Sequence, residues 1–321
     1  VPLPAVSVAR LQVIHNAADP AAANVDVYVN GSLLLDNFAF RTATPYVNVP
    51  ADVLLNIGVA GANSTSVNDT LKNFQVTLMN GGEYISVANG VLNPANFDAN
   101  PDGASTAFTL FLQDQMRESA TNTTDVDFRV IHGASDAPTV DVVAGGSVLV
   151  DNASYSNITP YLSVPAASYT LDITPANNNS VIVASFAAPL TALNGQSAVV
   201  VASGFLNPAT NQNGSPFGLL AVLADGTAFL LNNVTTSIDE NAASTGFTMY
   251  PNPASDFVNI VPVTVAGNST VEITNSVGQV VKAAVLEGAE LNIDLTELNS
   301  GLYFVKVQND KGSLVTKLVV K

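Results

Sequence analysis

The chain has 321 residues, and at about 100–150 residues per domain this length indicates two or three domains. It carries 26 acidic and 10 basic side chains, a net charge of −16, and it lacks cysteine. The shortage of basic residues excludes a basic surface for nucleic acid or an anionic membrane, whereas divalent cations remain compatible partners. The absence of cysteine excludes disulfides and thiolate chemistry. No apolar run approaches the ~18–20 residues of a membrane-spanning segment.

Alternation of apolar and polar residues with a period of two predicts β-strands along the whole chain. Val25, Val27 and Val29 alternate with other residue types before an Asn30-Gly31 turn, which is the pattern of a β-hairpin. Similar strand patterns recur at 169–173, 198–202, 271–273, 291–295 and 302–307. Proline and glycine punctuate these strands at a spacing typical of β-sandwiches. The sequence therefore predicts an all-β protein of three tandem immunoglobulin-like antiparallel β-sandwiches.

Two segments of the chain are copies of one another. Residues 10–35 and 127–150 share the same order of a strand, a histidine, a short turn and a second strand. We therefore predict two repeats of one domain, at 9–118 and 126–232, with matching folds. The corresponding residues are His15 and His132, Asp19 and Asp136, Asp26 and Asp141, Asp36-Asn37 and Asp151-Asn152, Thr44-Pro45-Tyr46 and Thr159-Pro160-Tyr161, Val49-Pro50-Ala51 and Val164-Pro165-Ala166, and Gly90-Val91-Leu92-Asn93-Pro94 and Gly204-Phe205-Leu206-Asn207-Pro208.

The second copy contains the motif VIHGASDAPTVDV at 130–142. This motif resembles the bacterial family called domain of unknown function 4397, whose members open with a strand, a histidine and an Asp-Ala-Pro turn before Val-Asp-Val. The first copy departs from the pattern by two inserted residues and by Asp19-Pro20-Ala21. The resemblance spans both repeats. It implies a β-sandwich that is exported to the cell surface, and it implies no established activity.

After the second repeat the composition changes. Residues 233–246 are polar and predict a flexible linker. Residues 247–321 then contain a Tyr-Pro-Asn-Pro start, an Asn-Ser-Val-Gly-Gln turn, a Ser-Gly-Leu-Tyr strand and a basic last residue. This order resembles the type A C-terminal sorting domain of type IX secretion substrates in Bacteroidetes; the alternative is one more immunoglobulin-like module. The resemblance implies handling by the type IX secretion machinery and an extracellular or cell-surface location. Its motif residues are Tyr250, Pro251, Asn252, Pro253, Gly278, Gly301, Leu302, Tyr303 and Lys321.

The sequence contains no pattern of catalytic residues. Its two histidines, His15 and His132, occupy equivalent repeat positions, and no Gly-x-Ser-x-Gly motif accompanies them. We expect each histidine to end a strand and to hydrogen-bond the loop that follows; the alternative is a ligand or catalytic role. Acidic residues are scattered over several loops, so their spacing leaves paired carboxylates for glycoside hydrolysis open. The scarcity of aromatic residues and the absence of tryptophan disfavour a sugar-binding subsite. We therefore predict that the protein is not an enzyme.

One loop has the oxygen-rich spacing of a calcium site. Asp98, Asn100 and Asp102 stand at positions 1, 3 and 5 of a calcium-binding loop, and Gly103 follows them. Thr109 stands where a complete EF-hand has its bidentate glutamate, so a complete EF-hand is excluded. Two interpretations stay open: a calcium ion held by the three side chains, or a solvated turn rich in Asp, Asn and Gly.

A short segment of the first repeat resembles a modification site. Thr70 stands in Asp69-Thr70-Leu71, which is similar to the O-glycosylation sequence of exported Bacteroidetes proteins. The resemblance implies that Thr70 accepts a glycan. We interpret the Asn-x-Ser/Thr sequences, such as those at Asn63 and Asn122, as a by-product of an asparagine-rich composition.

Two functions are compatible with these observations. The first is a structural or adhesive surface protein, and the second is a surface module that binds glycan, peptide or calcium through loops at the sandwich ends. Residues 1–8 form an apolar arm that its prolines keep extended. Such an arm could complete a neighbour's sheet and propagate a filament, or it could pair within its own domain. The chain begins at Val1 without a methionine, so we expect a mature form from which an export signal has been removed.

Overall fold

The computed structural model describes residues 7–234, 247–262, 269–275, 279–286, 288–309 and 312–321. Within these ranges the secondary structure consists of β-strands and four short 3-10 helices, at Pro20–Ala22, Val67–Asp69, Pro94–Asn96 and Leu190–Ala192. The prediction of an all-β fold is confirmed. No helix in the described ranges has the length and apolar character needed to span a membrane.

The first repeat forms two sheets of four strands each. The sheet orders are β4-β1-β7-β8 and β3-β2-β5-β6, and the two sheets enclose apolar clusters that include Val27, Ile57 and Leu55. The strands are β1 (Val8–His15), β2 (Asn24–Val29), β3 (Ser32–Ala39), β4 (Val47–Pro50), β5 (Leu54–Gly61), β6 (Thr70–Thr77), β7 (Glu83–Asn89) and β8 (Thr109–Gln113).

The second repeat has the same arrangement, with one short strand added to each sheet. The sheet orders are β12-β9-β15-β16-β17 and β11-β10-β13-β14-β18, and they enclose a core around Val142, Ile173 and Phe186. The strands are β9 (Asp125–His132), β10 (Val140–Ala144), β11 (Ser147–Ala153), β12 (Leu162–Pro165), β13 (Ser168–Pro175), β14 (Ala184–Pro189), β15 (Ser197–Ser203), β16 (Gly218–Leu223), β17 (Ala228–Leu230) and β18 (Asn232–Asn233).

The expectation of purely antiparallel sheets is wrong at one place in each repeat. β1 runs parallel to β7, and β9 runs parallel to β15. Parallel neighbours need a long crossover connection, and here it consists of the strands of the facing sheet together with one edge strand, β4 or β12, of the same sheet. An alternating sequence pattern shows which side of a strand is buried, but it carries no information on the direction of the neighbouring strand.

Both repeats belong to one compact unit that ends at residue 234. The ends of the predicted arm and linker are part of this unit: Ser7 accepts a hydrogen bond from the Ala51 N–H at 3.0 Å, and Asn233 pairs with Phe186. The rest of the arm, residues 1–6, and most of the linker, residues 235–246, lie outside the described residues.

The residues after 234 form a second compact unit. Its described strands make a three-stranded sheet, β19-β20-β23, and a four-stranded sheet, β22-β21-β24-β25. Val258, Ile273 and Val305 are fully buried in the core of this unit. The strands are β19 (Phe247–Tyr250), β20 (Phe257–Pro262), β21 (Ser269–Asn275), β22 (Val280–Leu286), β23 (Leu291–Asp294), β24 (Gly301–Asn309) and β25 (Gly312–Val320).

Candidate functional site

Four loops from the two repeats meet at one end of the first unit. Because β1 runs parallel to β7 and β9 runs parallel to β15, the carboxyl ends of each pair lie at the same edge of their sheet. We call the segments that follow these strands, 16–23, 90–108, 133–139 and 204–217, the loop cluster. The loop cluster contains the predicted calcium residues together with Asp19 and Asp136 of the repeat motif, and it is therefore the candidate functional site.

Each histidine ends its strand and hydrogen-bonds the loop that follows, as predicted. His15 Nε2 donates to the Ala22 carbonyl at 2.8 Å, and His132 Nε2 donates to the Pro138 carbonyl at 3.0 Å. A carbonyl oxygen can only accept, so both rings carry their proton on Nε2. Burial lowers the pKa of His15 to about 4 and also lowers the pKa of His132. Both rings are therefore neutral at pH 7 and hold the loop cluster in place.

Asp19 and its equivalent Asp136 hold together two loops within each repeat by accepting backbone hydrogen bonds. Asp19 accepts a hydrogen bond from the Leu92 N–H at 2.8 Å. Asp136 accepts hydrogen bonds from the N–H groups of Leu206 and Asn207, each at 2.9 Å. Both carboxylates are buried, and backbone N–H groups offset part of the cost of burying their charge. The two repeats therefore use this aspartate in the same way.

A second aspartate pair also occupies matching places. Asp26 Oδ1 accepts from the Asn37 N–H at 2.9 Å, and Asp141 Oδ1 accepts from the Asn152 N–H at 2.7 Å. Asn37 and Asn152 have φ angles of 50° and 53°, a left-handed conformation that asparagine tolerates better than most residues. The aspartate stabilises the same local bend of the edge strand in both repeats.

The two acidic residues of the predicted calcium loop contact the second repeat. The Asp98 carboxylate accepts from the Thr210 hydroxyl and from the Asn211 amide, the latter at 3.3 Å. Asp102 Oδ2 accepts from both the N–H and the hydroxyl of Thr139, each at 2.7 Å. These carboxylates therefore have separate sets of protein partners.

Asn100 is buried between the repeats. Its Nδ2 donates to the carbonyls of Ser135 and Ala137, at 3.0 and 3.1 Å. Its Oδ1 accepts from the N–H groups of Asp102 and Ala104. Calcium at this loop stays a prediction, and Asn100 Oδ1 would have to give up its two N–H partners to bind the ion. The described residues include no cluster of three or more acidic, histidine or cysteine side chains that could hold a metal.

A buried chain of hydrogen bonds crosses the boundary between the repeats. Asn16 Nδ2 donates to Asn89 Oδ1 at 2.6 Å, and Asn89 Nδ2 donates to the Tyr155 hydroxyl at 2.9 Å. Gly133 lies against this chain: a Cβ at this position would lie 2.4 Å from Asn16 Nδ2 and 2.8 Å from the Ala202 carbonyl oxygen. The close approach of the two repeats here requires glycine at position 133.

Arginine side chains add further polar contacts between the repeats. Arg41 Nε donates to the Ser203 hydroxyl at 2.9 Å, and its Nη2 donates to the Pro216 carbonyl at 2.6 Å. Arg117, in the segment that joins the repeats, forms an ion pair with the buried Asp127 at 2.7 Å. Arg41 is 162 residues from Ser203 in the sequence, so tertiary packing creates this contact.

An apolar layer lies between the facing sheets of the two repeats. Ile14 lies opposite Val87 within the first repeat, and Ile131 lies opposite Val201 within the second. All four side chains are fully buried. The layer thus adds a third core to the cores of the two repeats, and burial of this kind contributes about 25 cal/mol per Å² of apolar surface. The other buried members of the layer are Tyr46, Ile85, Met116, Val199, Leu220 and Val222.

Two equivalent residues, one from each repeat, donate hydrogen bonds across the apolar layer to the other repeat. Gln12 Nε2 donates to the Leu223 carbonyl at 2.8 Å. Arg129, which occupies the equivalent position of the second repeat, donates from Nη2 to the Gln115 carbonyl at 3.2 Å. The interface is therefore reciprocal, and it makes the two repeats one body.

Several residues of this interface were missed at the level of sequence: Asn16, Arg41, Asn89, Gly133 and Tyr155. They could have been noticed because the two repeats differ there. Asn16 corresponds to Gly133, and Asn89 corresponds to Ser203, immediately before the shared Gly-x-Leu-Asn-Pro motif. Where two copies of one fold pack against each other, residues at the contact must complement one another and cannot all be identical.

In the second unit, the Tyr-Pro-Asn-Pro segment holds the last strand. Asn252 Nδ2 donates to the Lys317 carbonyl at 2.8 Å, and Asn252 Oδ1 accepts from the Val319 N–H at 3.0 Å. The Lys321 N–H donates to the Ala254 carbonyl at 2.8 Å. The motif therefore connects the start of this unit to its end. The other motif residues of the segment are Tyr250, Pro251 and Pro253.

The remaining sorting motif lies at the start of β24. Gly301, Leu302 and Tyr303 open this strand, and the Tyr303 hydroxyl donates to the Asn299 carbonyl at 2.8 Å. Tyr303 is buried, whereas Leu302 is exposed. Gly278 lies outside the described residues.

Thr70 is the first residue of β6 and is partly exposed. Its Oγ1 accepts from Asn73 Nδ2 at 3.2 Å. The preceding Asp69 accepts hydrogen bonds from the N–H groups of Thr65 and Ser66, at 2.7 and 3.0 Å, and so fixes the turn before the strand. Glycosylation of Thr70 stays a prediction.

Similar solved structures match at low structural similarity. PorZ, a surface component of the type IX secretion system of Porphyromonas gingivalis, is 15% identical, with 84% of this chain and 37% of that chain covered and a TM-score of 0.23. SGBP-B of the Bacteroides ovatus mixed-linkage glucan utilization locus, solved with a heptasaccharide, is 11% identical, with 100% and 68% covered and a TM-score of 0.20. Immunoglobulin domains 1–5 of Sidekick-1 are 11% identical, with 98% and 78% covered and a TM-score of 0.18. The chain thus spans little more than a third of the length of PorZ.

Comparison with protein-family models identifies both parts of the chain. A comparison with curated proteins finds no significant match. The model of the secretion system C-terminal sorting domain matches residues 248–321. That domain implies handling by the type IX secretion machinery and export to the cell surface or the extracellular space. The model called domain of unknown function, DUF4397, matches twice, at residues 9–128 and 126–213. Because these two matches cover more than half of the sequence, the chain belongs to the DUF4397 family and carries a secretion sorting domain at its C-terminal end.

Proposed function

We propose that this protein is a non-enzymatic structural or adhesive component of the bacterial surface, which the type IX machinery exports. The observation that carries the proposal is the interface between the two repeats. Its apolar layer and its buried hydrogen bonds join both repeats into one body, and a rigid body of this kind suits a protein that transmits force or presents a surface. The sorting domain accounts for its location.

The chemistry of the loop cluster supports a role without catalysis. The two histidines are buried and neutral, and each donates its Nε2 proton to a backbone carbonyl. The motif aspartates are occupied by backbone N–H groups. A general base must be able to reach a substrate proton, and these groups are engaged in holding loops.

The proposal has three finer parts. The chain consists of three immunoglobulin-like sandwiches, two in the first unit and one in the second. Self-association proceeds through residues 1–8, whose apolar, proline-containing sequence suits addition to a neighbour's sheet edge. Calcium binds at Asp98, Asn100 and Asp102, supported by their spacing.

Deletion of the gene from a producing strain tests the structural or adhesive role. We expect a loss of cell-to-cell or cell-to-surface attachment, restored by the full-length gene. Normal attachment of the deletion strain would contradict the role.

Electron microscopy and sedimentation of the full-length protein, with and without residues 1–8, test self-association. We expect oligomers that disappear with the arm, and a protein that stays monomeric at high concentration would contradict this part. Calcium chloride should raise the melting temperature of the full-length protein and a chelator should lower it; an unchanged value would remove calcium from the proposal.

A further inference from the structure

A cavity lies between the two sheets of the second repeat, at the end where the loop cluster lies. Its volume is about 340 Å³, and its walls are mainly apolar, with Ala153, Ala184, Phe205 and Leu219 among them. His132 also lines it. In the first repeat, the space between the sheets that Phe38 lines measures about 40 Å³. Two copies of one fold therefore differ by a cavity large enough for a small molecule, since ligand pockets start at about 300 Å³.

One pair of equivalent residues contributes to this difference. In the first repeat Phe38 lies opposite Val25, and its ring centroid is 5.9 Å from that of His15. In the second repeat Ala153 takes the same place, opposite Val140. Alanine has no ring to fill the space beside the histidine. A large-to-small difference at a buried site leaves a cavity when the surrounding structure does not collapse into it.

The entrance and the polar groups of the cavity also favour a ligand. Val183 and Leu206 line it and are 59% and 45% exposed, so the cavity has an apolar route from the surface. His132 Nδ1 is buried and has no hydrogen-bond partner among the described residues, whereas His15 Nδ1 accepts from the Ala17 N–H at 3.3 Å. The second repeat thus retains an unused acceptor at a site that the first repeat closes.

We propose that the second repeat binds a small, uncharged ring compound in this cavity, with the ring seated where the Phe38 ring lies in the first repeat. The size is suitable, because a dry apolar cavity of about 150 Å³ already holds benzene. A charged ligand is disfavoured, since the apolar walls offer no ionic partner to offset the cost of desolvating it. This activity goes beyond a structural or adhesive role and can fail without affecting it.

Calorimetric titration of the full-length protein with toluene tests the proposal. We expect one molecule bound per chain and a melting temperature that rises with toluene concentration. The variant Ala153→Phe introduces the side chain that the first repeat carries at this position. It should keep or raise the melting temperature of the ligand-free protein and abolish toluene binding.

The matched control reverses the exchange in the first repeat. Phe38→Ala should open an equivalent space beside His15 and raise the stoichiometry to two molecules per chain. If Ala153→Phe fails to fold, Ala153→Leu provides a smaller filling side chain, which should weaken binding at least tenfold. Absence of toluene binding to the wild-type protein would overturn the proposal, and so would equal binding by the wild type and a folded variant filled at position 153.

Discussion

Replacement of Gly133 by alanine tests whether the two repeats form one body. The added Cβ would lie 2.4 Å from Asn16 Nδ2, 2.8 Å from the Ala202 carbonyl oxygen and 2.9 Å from Asn89 Oδ1. Carbon atoms do not approach polar atoms this closely, so the two repeats must separate locally or the side chains must move. Overpacking of this kind costs about 1–3 kcal/mol. Loss of the buried hydrogen bond between Asn16 and Asn89 adds about 1–3 kcal/mol.

We therefore expect Gly133→Ala to destabilise the first unit by about 3 kcal/mol. At about 2–4 °C per kcal/mol for a unit of this size, the melting temperature should fall by about 6–12 °C. Scanning calorimetry of the full-length protein measures the change, and both repeats should melt in one transition that shifts as a whole. We expect one common transition because neither repeat can unfold without exposing the apolar layer that the two repeats share.

Gly288→Ala in the second unit is the matched control. A Cβ at Gly288 meets no atom within 4 Å, so the melting temperatures should change by no more than about 4 °C, as for an exchange worth about ±0.5 kcal/mol in a unit of this smaller size. If Gly133→Ala proves equally neutral, or if the two repeats of the wild-type protein melt in separate transitions, the inference of one rigid body is wrong.

Three further predictions concern pH, export and the loop cluster. Burial lowers the pKa of His15 in the folded protein to about 4, whereas the same histidine in the unfolded chain has a pKa near 6.5. Between these two pH values the unfolded chain therefore binds more protons than the folded protein. Stability is therefore complete above about pH 6.5 and falls by up to about 3 kcal/mol by pH 4, as urea unfolding at several pH values should show; a stability that does not change between pH 7 and 4.5 would contradict this. Deletion of residues 247–321 should leave the protein in the periplasm with both repeats folded, and surface labelling of the truncated protein would refute the sorting role. Asn100→Ala should lower the free energy of unfolding by about 1–3 kcal/mol, because it leaves the buried carbonyls of Ser135 and Ala137 without their hydrogen-bond donor. Urea unfolding measures this change, and an unchanged midpoint would show that the contact is not stabilising.

Local patterns determined much of this protein at the level of sequence. The alternation of apolar and polar residues predicts the strands, because successive side chains of a strand point to opposite faces of the sheet. The repeats follow from motifs of buried groups such as His15 and Asp26, whose hydrogen-bond partners lie within the same repeat. Those contacts are repeated in each copy, so the same residues recur at the equivalent positions.

Only the tertiary structure decided how the two repeats are joined. Asn100, Arg41 and Gly133 acquire their roles from partners in the other repeat, and no local spacing identifies such partners. The predicted calcium loop shows the same effect, since Asp98 and Asp102 contact the second repeat. The cavity beside Ala153 likewise depends on whether neighbouring side chains fill the space.

The shared apolar layer left a trace in the sequence. β9 and β15 are buried on both faces along most of their length. Residues 198–202, which we grouped with the alternating strands, contain only alanine and valine, and such a continuous apolar run is typical of strands that are covered on both faces. A continuous run shows that both faces of a strand are covered, but it does not show what covers the second face. Here the other copy of the same domain covers the second face. Which partner covers that face depends on complementarity between whole surfaces.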